Sequence, residues 1–226
     1  MIAGRRFSQR FLLIGVVMLA PLMFFAWTYV TQQAQNQIQF HEQERMGIRY
    51  IRPVTALLSE IVAARAGSVA DFDDEVAAVA TVDARYGAAL GTSASWDGWT
   101  RTLGAARTGG APSSQQYNHL AQKLIDLVTH VANTSNLILD PDLDSYYLMD
   151  IIVVRQPLLL DQVGQVVHLA PNSGAAAANH DELVIARAII TSTAAAIATD
   201  VATSVDSTQD PELQADDGDD GEQAVA

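Results

Sequence analysis

The sequence has no cysteine, few aromatic residues and half as many basic as acidic residues, and each shortage removes a class of protein. Without cysteine there is neither a disulfide framework nor a thiolate site. Aromatic residues make up 7% of a chain that is 49% hydrophobic, which favours long helices in bundles over an aromatic-rich β-sandwich. The 13 basic residues are scattered among 26 acidic ones, and the net charge of -13 argues against nucleic acid as a partner.

The short motifs that carry catalysis are missing as well. The sequence contains no glycine-rich phosphate loop, no nucleophile elbow and no kinase signature, so we expect no enzyme activity. Its five histidines show no i,i+3 or i,i+4 pairing and no metal-ligand motif. We therefore expect neither a bound metal nor a cofactor.

The most prominent feature that is present is a hydrophobic run over residues 11–30. About 20 residues with a rise of about 1.5 Å each cover the roughly 30 Å of a bilayer's hydrocarbon core. Arg5, Arg6 and Arg10 precede the run, and no Lys or Arg follows it until Arg45. The positive-inside rule therefore predicts that the N-terminus is cytoplasmic and that the rest of the chain is exported.

A cleaved signal peptide is the alternative interpretation of this run. The apolar core of such a peptide spans about 7–15 residues and ends at small residues. The run here is longer and ends in bulky aromatics, among them Trp27 and Tyr29, which suit a membrane interface. Pro21 lies inside the run, and proline is tolerated in membrane helices. We therefore predict an uncleaved transmembrane helix.

Beyond the run, apolar residues recur every three or four positions in several segments separated by turn signals. This pattern is typical of amphipathic helices in a bundle. We predict an all-α protein whose transmembrane helix continues into an antiparallel, four-helix-bundle-like domain, with bends at Pro53 and Pro157. Because the last helix contains Arg187 and Asp200, we predict no second membrane span. The acidic tail from Asp206 has little to bury and is predicted to be disordered.

Two stretches of the sequence resemble a known family. The first is residues 44–53, ERMGIRYIRP, continuing to Leu57 and Leu58. The second, longer and more specific, is residues 133–150, NTSNLILDPDLDSYYLMD, followed by Pro157. Together they look like the periplasmic sensor region of bacterial methyl-accepting chemotaxis proteins and related sensor kinases. The resemblance covers about residues 5–205.

This resemblance implies an N-terminal anchor, a helical ligand-sensing domain, a second membrane span, a HAMP linker and a cytoplasmic output module. It also implies a homodimer. The sequence ends in its acidic tail before any second span, so we expect a receptor fragment that lacks the output module. We predict a single-pass protein of the bacterial inner membrane with four parts. They are a cytoplasmic N-terminus (1–10), a transmembrane helix (11–31), a periplasmic helical sensor domain (32–205) and a disordered tail (206–226).

The aspartates at positions 140, 142 and 144 invite comparison with a calcium-binding loop. Ser145 and Ile151 stand where an EF-hand loop needs glycine and glutamate, which argues against that interpretation. Capping of a helix start is the plainer role for Asp140 and its neighbours. A contribution to a ligand pocket is the other role that remains open.

The adjacent residues Tyr146 and Tyr147 lie about 100° apart on a helix, so at least one is expected to face the bundle. A buried hydroxyl needs a hydrogen-bond partner, which Asn136, Asp150 or Arg155 would supply. Structural packing and contact with a small ligand held between helices both remain open. The candidate ligand-binding residues are Asn136, Asp140, Tyr146, Tyr147, Asp150 and Arg155.

Three functions fit these features. The first, which we expect, is the membrane-anchored sensory region of a chemotaxis-type receptor, whose ligand is an unidentified small molecule or a periplasmic binding protein. The second is the input region of a sensor histidine kinase or a cyclase. The third is a free-standing membrane-anchored interaction protein whose acidic tail is functional.

Overall fold

The computed structural model describes residues 3–67, 71–108, 110–139, 143–169 and 180–208. Within residues 3–39 it describes the side chains only of residues 19, 21, 23–29 and 31. In these ranges the protein is all-α, as predicted, and contains no strand. The α-helices are α1 (Ala3–Arg65), α2 (Asp73–Leu90), α3 (Ser93–Arg107), α4 (Ser114–Thr134), α5 (Leu143–Asp150), α6 (Gln156–Leu169) and α7 (His180–Ser207). A 3₁₀ turn, Leu137–Leu139, precedes α5, and a π-helical segment, Ile151–Arg155, joins α5 to α6.

The chain divides into two compact units, Met1–Gln43 and Glu44–Ala226. In the first unit, large apolar side chains of α1 are 55–71% exposed, namely Leu19, Met23, Phe24, Phe25, Trp27 and Tyr29. The other side chains of the predicted anchor, apart from those of residues 21, 26, 28 and 31, lie outside the described residues. The anchor over residues 11–31 and the domain boundary at residue 31 therefore stay predictions.

The hydrophobic core of the second unit is built on the last five turns of α1 together with α2, α3 and α4. Apolar residues of α1 at spacings of three and four are almost completely buried, namely Ile51, Val54, Leu57, Leu58 and Ile61. They pack in one cluster with Val79, Leu90, Trp99, Leu120, Leu124 and Val128. α1 remains helical across Pro53, whose missing N–H leaves one helical hydrogen bond unmade.

The turns between these helices use the residue types that the sequence indicates. Gly67 follows α1 with φ of 96°, and Gly91 follows α2 with φ of 69°, both in the left-handed region that favours glycine. Ser113 begins α4 with a capping box, in which its hydroxyl accepts from the N–H of Gln116 at 3.3 Å. The side chain of Gln116 accepts in return from the N–H of Ser113 at 2.8 Å.

The helix that carries Tyr146, Tyr147 and Asp150 changes its winding just before Pro157. Over Ile151–Arg155 it is π-helical, and the N–H of Gln156 donates to the carbonyl of Ile151, five residues back. Proline has no N–H with which to continue the α-helical ladder, and a π turn is one of the recognised ways in which a helix accommodates such a defect. Pro157 itself is buried at the start of α6.

Helix α7 packs against α5, α6 and the π segment. Its buried residues, Ala186, Thr193, Asp200 and Ser204, are small or polar. The apolar residues at helical spacing along this helix do not make its buried face, since Leu183, Ile190 and Ile197 are only half-buried. The buried face of α7 runs through Ala186, Thr193 and Asp200, which are seven residues apart. Val201 lies beside this face and is 44% exposed.

Among the described residues, α7 is the helix that is long and apolar enough to cross a membrane. Arg187 and Asp200 therefore do not disqualify this helix by length and composition, and the expectation of no second span is not confirmed. Core helices of soluble proteins share this length and composition. The predicted disordered tail lies outside the described residues from position 209 onward.

Candidate functional site

Two of the predicted binding residues meet in an ion pair. The Nε–H of Arg155 donates to a carboxylate oxygen of Asp150 at 2.7 Å. The two residues are five positions apart along the chain, at either side of the π turn. Both side chains are partly exposed, at 34% for Arg155 and 21% for Asp150.

A third charged residue completes this group, and we call Asp150, Arg155 and Asp200 the Arg155 cluster. Asp200 comes from α7, and its Oδ2 lies 3.3 Å from Nε of Arg155. Asp200 is 6% exposed, and the same oxygen accepts no hydrogen bond from the described residues. The hydrogen bond to Asp150, with the charges of both carboxylates, raises the pKa of Arg155 above its ordinary value.

The tyrosine pair lies next to the cluster in sequence. Tyr146 is 41% exposed and Tyr147 is half-buried, and their rings meet edge to face with centroids 5.7 Å apart. This is a favourable geometry for two aromatic rings. Asp150 and Arg155 pair with each other and not with a tyrosine hydroxyl. Tyr146 therefore offers an exposed aromatic surface on the same helix as the cluster.

The remaining two predicted residues precede α5. Asn136 is half-buried, adopts φ of 64° between α4 and the 3₁₀ turn, and its carbonyl accepts from the N–H of Leu139 at 2.9 Å. Asparagine is one of the few residues that tolerate this left-handed conformation. Asp140 lies outside the described residues, as does Asp142, so the calcium interpretation stays untested.

The first turn of α5 is tied to the end of α7. The hydroxyl of Ser204 donates to the backbone carbonyl of Asp144 at 2.9 Å. The carboxylate of Asp144 accepts from the N–H of Ser145 at 2.8 Å, and this bond lowers the pKa of Asp144. α7 is thus bonded to α5 at Asp144 and paired with the π segment at Arg155.

Two further polar groups are buried inside the second unit. Asp83 accepts from the hydroxyls of Tyr50 at 2.7 Å and Thr92 at 2.6 Å, in a site where all three residues are less than 10% exposed. A Cβ on Gly87 would collide with the carboxylate of Asp83, so glycine keeps this site open. Burial is the main cause that raises the pKa of Tyr50.

The second buried polar group is centred on Arg65, which is 3% exposed at the end of α1. Its Nη1 donates to Asp161 at 2.7 Å and to Asn118 at 2.8 Å, which ties α1 to α6 and α4. A Cβ on Gly164 would collide with the same guanidinium. The first group joins the consecutive helices α1 and α2, the second joins α1 to α4 and α6, and both have the character of structural contacts.

One groove with a volume of about 410 Å³ lies between α3 and α4. Its lining is uncharged or weakly polar, namely Thr102, Ala105, Ala106, Gln115, Gln116 and His119. None of the predicted site residues borders it. Within the described ranges, no group of three or more His, Asp or Glu side chains is placed to hold a metal ion.

Sequence reasoning named Asp150 and Arg155 but missed Asp200 as their partner. The available signal was the spacing of seven between Ala186, Thr193 and Asp200, which places all three on one face of α7. We searched for similar proteins, and no family model, curated protein or solved structure matches this chain.

Proposed function

We propose that this protein is the membrane-anchored, extracytoplasmic ligand-sensing region of a chemotaxis-type transmembrane receptor. In this proposal residues 32–205 form an antiparallel, four-helix-bundle-like sensor domain in the periplasm, and residues 11–31 form a single anchor in the bacterial inner membrane with the N-terminus in the cytoplasm. The all-α architecture supports the proposal. So does the resemblance carried by residues 44–53 and 133–150.

The observation that carries the proposal is the placement of the Arg155 cluster. Tyr146, Asp150 and Arg155 belong to one helical stretch, and Arg155 also reaches Asp200 on α7. A ligand that touched Tyr146 or Arg155 would therefore act on a contact that holds α7 in place. A ligand shifts a conformational equilibrium only when it binds two states with different affinity. A ligand at this contact would bind differently depending on whether α7 is held by Arg155.

The anchor rests on a separate observation. Large apolar side chains of α1 between positions 19 and 29 are more than half exposed, including Phe24, Phe25 and Trp27. A cluster of large exposed apolar side chains is expected where a protein meets lipid or a partner. α7 also has the length and composition for a span, but it buries Asp200 against Arg155 in the second unit.

The ligand-sensing part of the proposal is tested by thermal unfolding of the full chain in lipid nanodiscs. Amino acids, organic acids and inorganic oxyanions are added one at a time at millimolar concentration. A ligand present at 100 times its Kd stabilises the folded state by about 2.7 kcal/mol, which raises the melting temperature by several degrees. If a hit is a true sensor ligand, the exposed-site variant Tyr146→Ala should abolish its shift.

The matched control for that experiment is Val167→Ala, since Val167 is 46% exposed on α6 and lies outside the candidate site. This variant should keep the ligand shift. A panel in which no compound moves the melting temperature, or in which both variants lose the shift equally, would contradict the assignment of the site.

The orientation is tested by adding protease to intact spheroplasts. Cleavage beyond residue 39 with protection of the N-terminal arginines is the expected result. The opposite pattern would reverse the topology and remove the argument for periplasmic sensing. A homodimer and the absence of enzyme activity are further expectations of the proposal, checked by cross-linking in membranes and by activity assays.

A further inference from the structure

Four exposed arginines come together on the second unit, around one tyrosine. Arg45, Arg49 and Arg52 follow one another at spacings of four and three, which places them on one face of α1. Nη1 of Arg49 donates to the hydroxyl of Tyr86 on α2 at 3.4 Å. The guanidinium of Arg85 lies over the ring of the same tyrosine, 5.1 Å from its centroid. We call these four arginines the arginine patch.

The charge of the arginine patch is not balanced by the described side chains around it. Within the described residues Arg45, Arg52 and Arg85 form no ion pair, although Glu42 and Glu44 lie within one turn of Arg45 on α1. Three other arginines of the unit each pair with an aspartate. Like charges at such spacings repel one another, so an anionic group placed on the patch would be stabilised.

The sequence supplies a segment of opposite charge directly after α7. Residues 209–226, which lie outside the described residues, contain no Lys, Arg or His, and we call them the acidic segment. They hold seven of the 26 acidic residues of the chain, namely Asp210, Glu212, Asp216, Asp217, Asp219, Asp220 and Glu222. In charge, the acidic segment is therefore the counterpart of the arginine patch within this chain.

Helix α7 ends at the level of the arginine patch along α1. Ser204, in the last turn of α7, donates to the carbonyl of Asp144 at the start of α5. α5 packs against the 3₁₀ turn, and Leu137 of that turn contacts α1 at Gly47, where an added Cβ would lie 2.9 Å from its Cδ1. Gly47 lies within the stretch of α1 that carries the patch. The acidic segment therefore follows the described fold at a point close to the patch.

The acidic segment is long enough to reach the arginine patch. Asp216 lies eight residues after Thr208, and Glu222 lies 14 residues after it. A chain spans at most about 3.3–3.6 Å per residue, so these positions can lie up to about 26–29 Å and about 46–50 Å from Thr208. An α-helix with its side chains is about 10–12 Å across. The segment can therefore pass around α1 to the face that carries the arginines.

We propose that the arginine patch is the docking surface for the acidic segment of the same chain. Carboxylates of residues 209–226 pair with the guanidinium groups of the patch, which can donate two parallel N–H bonds to one carboxylate. Single exposed ion pairs are weak, but here several acids and four arginines belong to one chain, which gives them a high effective concentration. The contact does not depend on the proposed sensory function.

The test measures the distance between two spin labels in the full chain in nanodiscs. Because the chain has no cysteine, the labels attach only at Ala56→Cys, one turn after Arg52, and at Ala215→Cys in the acidic segment. Electron–electron resonance should show a population of short distances at low salt. Arg45→Glu combined with Arg52→Glu should lower the ratio of short to long distances by about two- to thirtyfold, the factor that two exposed ion pairs provide.

The matched control is Arg101→Glu combined with Arg187→Glu, which changes the net charge equally at two exposed arginines on α3 and α7. This control should keep the short distances. Their absence in the parent chain, or an equal loss in the patch variant and in the control, would overturn the proposal.

A second variant leaves every described residue unchanged. Asp216→Asn, Asp217→Asn, Asp219→Asn and Asp220→Asn together should remove the short distances, as should 1 M salt, which screens exposed charges. Short distances that survive both treatments would contradict docking by charge. Chains labelled at only one of the two positions are mixed to detect contact between copies. Short distances in that mixture would place the acidic segment on a second copy and overturn docking within one chain.

Discussion

Helices α4 and α7 both bury one face at helical spacing, and the two faces differ in chemistry. The face of α4 is aliphatic, with Leu120, Leu124, Leu127, Val128 and Val131 between 0 and 2% exposed. The face of α7 consists of Ala186, Thr193, Asp200 and Ser204, between 3 and 6% exposed. Full burial of an aliphatic side chain contributes about 1.5–3 kcal/mol, whereas a polar contact contributes about 0.5–1.5 kcal/mol and depends on its partner.

We therefore expect the apolar face of α4 to contribute more to stability, and the polar face of α7 to rearrange more readily. An apolar face stabilises the fold through many small contacts, none of which needs a hydrogen-bonding partner. A polar face holds its neighbour through a few named bonds, such as Ser204 to Asp144 and Asp200 to Arg155. Exchanging one such bond for another changes the arrangement of the helix without dissolving the core. The following substitutions test that division.

The largest loss is expected from Leu124→Ala on α4. Leu124 is completely buried in the core cluster, so truncation removes apolar contacts and leaves a cavity. The expected cost is about 2–5 kcal/mol in the free energy of unfolding, measured by urea denaturation of the full chain in nanodiscs. Thr129→Ala, at an exposed position of the same helix, should change it by less than about 0.5 kcal/mol. Equal losses at the two sites would mean that α4 does not pack as described.

A smaller loss in the free energy of unfolding is expected at the hydrogen bond between Tyr50 and the buried carboxylate of Asp83. Tyr50→Phe removes a hydroxyl that donates to Asp83 at 2.7 Å and leaves the carboxylate with Thr92 alone. Loss of a donor to a buried charged acceptor costs about 1–3 kcal/mol at neutral pH. Thr81→Ala, which removes an exposed hydroxyl on α2, is the control for general effects of hydroxyl loss.

The same variant predicts a pH dependence. Because the pKa of Tyr50 is raised in the folded state, the unfolded chain loses this proton first as the pH rises. The contribution of Tyr50 to stability is therefore complete below its ordinary pKa of about 10 and declines above it. Urea midpoints of the parent protein should fall more steeply between about pH 10 and pH 11 than those of Tyr50→Phe. Parallel curves would show that the hydroxyl is accessible to solvent.

The sequence predicts the α4 side of this comparison better than the α7 side, and the reason is physical. Aliphatic periodicity reports burial directly, so the face through Leu120, Leu124 and Val131 could be predicted without tertiary information. A buried Thr, Asp or Ser is recognisable only when its partner is known, because alone each has the composition of a solvated position. From the sequence alone Asp200 interrupts the apolar pattern of the helix, and its burial is explained only by the contact with Arg155 in the structure.

The same limit applies to the candidate site. The pair of Asp150 and Arg155 was foreseen as a set of polar residues, but not as a contact, because a spacing of five does not pair in an α-helix. The π turn that makes the contact possible lies just before Pro157, and proline alone predicts a bend without specifying its form. Asp83 with Tyr50 and Arg65 with Asp161 were missed for a simpler reason. They join residues 33 and 96 positions apart, and no local pattern connects them.

On the polar face itself, Ser204→Ala should have a modest effect. The change removes the donor to the carbonyl of Asp144 and leaves that carbonyl without this bond. The expected cost is about 0.5–1.5 kcal/mol, less than that of Leu124→Ala although both positions are buried. Hydrogen exchange should increase in α5 and in the last turns of α7 while the amides of α4 remain protected. Uniform loss of protection across all helices would show that the two faces are not energetically separate.

The smallest effect is expected from Asp73→Asn, which breaks the ion pair with Arg107 at 2.8 Å between side chains that are 67% and 41% exposed. Water screens such a pair, and Arg107 keeps its position over the ring of Phe72, 4.7 Å from the centroid. The cost should be below about 1 kcal/mol and should shrink further in 1 M salt. A loss as large as that of Ser204→Ala would mean that exposed charge stabilises this fold as effectively as the buried polar face. The Arg155 cluster would then have no special place among the ion pairs, because its importance rests on the partial burial that Asp73 and Arg107 lack.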